Sequence, residues 1–108
     1  MLKAVFHEKG CDFCGFEISG HAGYGTEGND IVCAAVSSCT MLVCNCVTEN
    51  FKAGADVKVE ENRITLRLLE YNRAAVKLLA AFYEHLKALS EDYGNIKLAI
   101  ILGGKTDD

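Results

Sequence analysis

Between Ile31 and Phe51 the chain reads IVCAAVSSCTMLVCNCVTENF, and this stretch constrains the fold more than any other. It predicts a helix that is apolar on most faces, with Ser37, Ser38, Thr40 and Asn45 as its main interruptions. A surface helix shows one apolar stripe and one polar face. A helix without that division has to be deeply buried, or covered by another subunit as well as by its own sheet. Asp30 directly before it is a natural N-cap, because its short carboxylate can accept from the first free backbone N–H groups. The polar interruptions leave no clear candidate for a membrane-spanning run.

The remaining segments supply a sheet for that helix. Leu2 to Glu8 alternates as a strand, and Lys9 to Asp12 reads as a turn. Cys14 to His21 alternates again, with Phe16 and Ile18 on one side and Glu17, Ser19 and His21 on the other. Ala22 to Asn29 contains Gly23, Gly25 and Gly28 and predicts an exposed loop. Asp56 to Glu60 and Arg63 to Leu68 form a hairpin turning at Glu61-Asn62, with Val57, Val59, Ile64, Leu66 and Leu68 facing in. A second helix starts near Asn72, carries a stripe of Ala75, Leu78, Leu79, Phe82, Leu86 and Leu89, and ends at Gly94. Ile96 to Leu102 is the last strand. The order β-β-α-β-β-α-β with two hairpins predicts an α/β fold of the α+β type: a mainly antiparallel sheet with both helices packed on one face. The 108 residues suit one domain, 1–108, that buries its own core.

Charge and cysteine content narrow the function classes. The net charge of -4 argues against direct binding of nucleic acid, which needs a basic surface, and suits a basic peptide better. The opening MLKAVFHEKG has neither a long apolar core nor a cleavage site, so a secretory leader is not expected. A cytoplasmic protein follows, with its six cysteines held as reduced thiols.

The segment GHAGYGTEGNDIVCAAVSSC, Gly20 to Cys39, carries the candidate chemistry. A thiol becomes a strong nucleophile on losing its proton, which a neighbouring imidazole promotes. His21 at a strand end and Cys33 in the first turn of a helix can meet across the short intervening loop. The helix dipole at Cys33 is worth only about 0.3–1 kcal/mol, and Asp30 opposes a thiolate, so activation requires His21. Gly23, Tyr24, Gly25 and Gly28 belong to a flap that can close over a peptide and exclude water. Backbone N–H groups around Cys33 can serve as an oxyanion hole. Ser37, one turn after Cys33, can hydrogen-bond to the site or to its own backbone. Asp30 can cap the helix, orient His21, or do both.

SGHAGYG followed by GNDIVCAAVSS resembles the ribosomal-processing cysteine protease family Prp, tightly over Gly20 to Ser38 and loosely over the whole chain. The resemblance implies a cysteine endopeptidase with a His21/Cys33 dyad, with Asp30 and Ser37 as supporting residues. It implies removal of a short amino-terminal extension from the precursor of large-subunit ribosomal protein number twenty-seven. It also implies a homodimer, a loop over the site, and no metal or organic cofactor.

Cys11, Cys14, Cys39, Cys44 and Cys46 lie outside that pattern and keep a rival open. Cys11-Asp-Phe-Cys14 is half of a zinc knuckle or a redox pair. No second C-x-x-C completes it, and Cys44 and Cys46 on one helix point about 200° apart. A third possibility is a non-catalytic dimeric module that binds a ribosome-assembly partner, with Cys33 in its core.

Overall fold

The computed structural model describes residues 1–20 and 27–102, with backbone alone for 27–30. The elements are β1 (Leu2–Lys9), β2 (Asp12–Ser19), α1 (Glu27–Asn45), a π-helical turn (Cys46–Asn50), β3 (Ala55–Glu60), β4 (Arg63–Leu68), α2 (Arg73–Tyr93) and β5 (Ile96–Leu102). They form a single five-stranded sheet of order β3-β4-β2-β1-β5. The β1–β2, β2–β4 and β3–β4 pairs are antiparallel and β1–β5 is parallel. The expected element order and the mainly antiparallel α+β architecture are both present.

Register puts the apolar set on one face. Ala4 opposes Ile18 and Phe6 opposes Phe16, while β4 brings Ile64 beside Ile18 and Leu66 beside Phe16. Leu2, Ala4, Phe6, Phe16, Ile18 and Leu66 are buried there under Val32, Val36, Val43 and Val47 of the first helical segment and Ala75, Leu79, Phe82 and Leu86 of α2. Phe6, Phe16 and Phe82 meet with ring centroids 5.0–5.8 Å apart, in tilted or edge-on geometry that suits aromatic quadrupoles. The opposite face is polar: a nitrogen of His7 lies 3.4 Å from Glu17, and Arg67 donates to Asp56 at 2.9 Å. Both helices therefore share one side of the sheet.

Several expected boundaries move. β2 ends at Ser19, short of the expected His21, because Gly20 turns the chain at φ +91°. α1 starts at Glu27, within the expected loop, so Gly28 lies in the helix and Asp30 is its fourth residue instead of its N-cap. A single glycine costs a helix only about 1 kcal/mol relative to alanine, too little to stop one whose later turns are anchored in the core. Val57 and Val59 do lie opposite Leu66 and Ile64, on the helix side. They are nevertheless 36% and 60% exposed, since β3 is an outer strand of the sheet with a neighbouring strand on one side alone.

α2 follows the sequence closely. The Asn72 side chain accepts from the Ala75 N–H at 2.9 Å, and Gly94 closes the helix in the left-handed region at φ +76°. Ile31–Asn50 is long and apolar enough by composition to cross a membrane, contrary to the expectation from its polar interruptions. In the fold, one side of this segment forms the roof of the core.

Candidate functional site

α1 brings Cys33 to the edge of the core. Val32 and Val36 are fully buried against the sheet, which fixes the helix in rotation. Cys33, adjacent to Val32, is left half-buried at the margin and packs against the core on one side. Ser37, one turn later, lies on the same margin and is exposed. Thr40, a further turn on, is buried, and its hydroxyl donates to the Val36 carbonyl at 2.6 Å. Thr40 is thus engaged with its own helix, whereas the Ser37 hydroxyl makes no hydrogen bond among the described residues.

Cys33 and Ser37 open into a cavity of about 130 Å³. Its floor is apolar, formed by Leu2, Ile18, Val36 and Ile64. Its far wall is the β3–β4 turn, Glu60 to Arg63. Gly20 forms part of the rim. Its N–H donates to the Asn62 carbonyl at 3.1 Å, tying the end of β2 to that turn. A β-carbon on Gly20 would lie 2.6 Å from the Met1 carbonyl oxygen, so backbone packs closely on both sides of this residue.

Of the residues expected at the site, Cys33 and Ser37 are brought together. His21, Gly23, Tyr24 and Gly25 lie outside the described residues. Gly28 and Asp30 are placed by backbone alone, in the first turns of α1. Because α1 starts at Glu27, Cys33 is its seventh residue, beyond the first turn in which the macrodipole acts. The expected dipole assistance is therefore absent. Residues 60–63 were missed as site residues. Their sequence reads only as a hairpin turn, and only the non-local β2–β4 pairing carries that turn opposite α1.

The other thiols separate by environment. Cys44 is buried in the core, and desolvation pushes its pKa up to about 11. Burial also raises that of Cys39, whose Sγ lies 3.6 Å from the Val36 carbonyl. Cys11 sits in the β1–β2 turn and Cys14 inside β2. Both are free thiols. Among the described residues no group of three or more His, Cys, Asp or Glu side chains could hold a metal ion.

The family model described as cysteine protease Prp matches residues 1–97. Among solved structures, SMU.848 from Streptococcus mutans superposes with a TM-score of 0.82 at 25% identity, covering 95% of this chain and 96% of its own. The essential ribosomal processing protease Prp from S. aureus, in complex with a substrate peptide, superposes with a TM-score of 0.85 at 22% identity, covering 94% and 100%. The same S. aureus protease with a covalently linked product peptide gives 0.84 at 23% identity, again covering 94% and 100%. The search of curated protein sequences returned no match.

Proposed function

The chain belongs to the cysteine protease Prp family, and from that premise we propose that it is a cytoplasmic endopeptidase that trims the amino-terminal extension of large-subunit ribosomal protein twenty-seven through a His21/Cys33 dyad. One observation carries the assignment of the dyad. Gly20, the residue before His21, and Cys33 line the same cavity, although 13 positions separate them in sequence. The strand that leads to the histidine and the helix that holds the cysteine thus converge on one opening.

The chemistry is acyl transfer to sulfur. His21 removes the Cys33 proton, and the thiolate attacks the scissile carbonyl carbon. As the tetrahedral intermediate collapses, protonated His21 gives that proton to the leaving amine and the C–N bond breaks. Water, deprotonated by His21, then hydrolyses the thioester and frees Cys33. The oxyanion requires donors, for which backbone N–H groups near Cys33 are the candidates. A hydrogen bond from the Ser37 hydroxyl to the peptide belongs to this reading, supported by the position of Ser37 in the cavity lining.

A homodimer is part of this proposal. Ile31 and Leu42 are 58% and 64% exposed and Met41 is also open, along the side of α1 turned away from the core. Exposed apolar surface of this kind suits a protein partner, and a second copy accounts for a helix that carries apolar residues on both sides.

Alkylation tests the dyad directly. Iodoacetamide should modify Cys33 in the native protein near neutral pH, and peptide mapping should show that rate collapse in His21→Ala. Equal rates in the two proteins, or modification of Cys33 only after unfolding, would rule out the proposed pair.

A further inference from the structure

We propose that the outer edge of β3 receives the substrate as an added strand, holding an extended segment beside the cut bond by backbone hydrogen bonds to Val57 and Val59. The inference rests on the cysteine-protease reading above and adds to it the way the peptide is bound. β3 ends the strand order, with β4 as its single strand neighbour among the described residues. The ladder gives the direction of its backbone groups. The Leu69 N–H donates to the Gly54 carbonyl at 2.9 Å, which continues the β3–β4 register by one step. Gly54 thus turns its backbone toward β4, and by alternation so do Asp56, Lys58 and Glu60. Ala55, Val57 and Val59 turn their N–H and carbonyl groups outward. The bond from the Gly20 N–H to the Asn62 carbonyl agrees, since it sets Asn62 toward β2 and leaves Arg63, Thr65 and Arg67 facing β3. Unpaired edge groups of this kind are a template for one more strand.

The position of the edge identifies its occupant. Val57 and Val59 lie on the helix side of the sheet and are exposed. Val59 is paired with Ile64, which belongs to the floor of the cavity into which Cys33 opens. The Glu60 end of β3 lines the same cavity. The edge and its apolar strip therefore run up to the opening of the nucleophile, and a peptide paired with β3 reaches that opening at one end. Side chains of an added strand alternate between the two faces. Every second one lies beside Val57 and Val59 and is apolar. Those between lie beside Asp56, Lys58 and Glu60, on the polar face, and are unconstrained in sign because that row carries both charges.

The test uses peptides spanning the cleavage region of the ribosomal precursor. Each is N-methylated at one backbone position, leaving out the two residues that form the cut bond. Over a stretch on one side of that bond, methylation at every second position should raise KM about two- to tenfold, the net worth of one backbone hydrogen bond, with kcat retained. Methylation at the positions between should leave KM unchanged. On the protein side, Val57→Pro removes an outward N–H and no bond to β4, a substitution that sheet edges accept. It should raise KM for the unmodified peptide by a similar factor, while Cys33 keeps its wild-type rate with iodoacetamide. The methylated series uses wild-type protein and decides the matter should Val57→Pro not fold. Methylation that acts at successive positions alike, or at none, overturns the inference and leaves the protease reading intact. A Val57→Pro protein that keeps the wild-type KM but sediments as a monomer assigns the edge to a second copy, which also overturns it. Cleavage of no peptide, with Cys33 inert to iodoacetamide, overturns both.

Discussion

Gly20→Ala should destabilise the protein by about 2–5 kcal/mol, the sum of two costs that a second glycine allows to be separated. The first is conformational. Gly20 has φ +91°, and a β-carbon in the left-handed half of φ/ψ space costs about 1–2 kcal/mol. The second is contact. The new methyl would lie 2.6 Å from the Met1 carbonyl oxygen, and that oxygen is backbone at the head of β1, so the strand itself must move. Overpacking of this kind costs about 1–3 kcal/mol. Gly10, at the other end of the hairpin, has φ +67° and nothing within 4 Å of its would-be methyl. Gly10→Ala therefore carries the first cost alone, about 1–2 kcal/mol. Urea unfolding of both variants against wild type measures the difference. Cleavage should fall in Gly20→Ala, where the path of the chain into His21 shifts, and hold in Gly10→Ala under conditions where both are folded. Equal stability losses in the two variants would refute the contact argument. Wild-type cleavage by Gly20→Ala would refute the claim that this residue sets the path into the site.

Two further outcomes follow from the same structure. The Cys44 thiol, with its folded pKa raised to about 11 from an ordinary 9.0, keeps its proton longer in the folded than in the unfolded chain; the resulting stability is intact below about pH 9 and lost as pH rises toward 11. At about 1.4 kcal/mol per unit the loss approaches about 2–3 kcal/mol, so the unfolding free energy of wild type should drop over that window more than that of Cys44→Ala, and parallel pH curves would contradict the assigned cause. Leu42→Glu places a carboxylate on the exposed side of α1 and should shift the protein to monomers in sedimentation, with little change in the secondary structure seen by circular dichroism; an unchanged dimer would place the interface elsewhere.

The parts of the fold that depend on local chemistry were legible in the sequence. α2 announces itself by the Asn72 cap, the stripe from Ala75 to Leu86 and Gly94, and each is found in its expected place. Alternation in β1 and β2 identified Phe16 and Ile18 as core residues, and both are buried. The start of α1 was not legible, because Gly28 and Asp30 form a strong local stop-and-cap signal that the helix overrides. Val59 was expected in the core because alternation reports which side of a sheet a residue takes, not whether anything covers that side. The cavity wall at Glu60 to Arg63 was hidden for a related reason. Nothing in the sequence of a hairpin turn states which helix it will face, and here the β2–β4 pairing decides it. Cys33 itself was found from its neighbours, and its half-buried position beside a cavity fits a nucleophile better than a core thiol such as Cys44.

The central claim is that Cys33 and His21 together cut a ribosomal precursor, and a cleavage assay tests it most directly. Purified protein is mixed with the precursor of ribosomal protein twenty-seven from the same organism, beside Cys33→Ala and His21→Ala, and product masses are read. The account predicts one defined amino-terminal fragment from wild type and none from either variant. An intact precursor after incubation with folded wild-type protein, or the same fragment from Cys33→Ala, would contradict it.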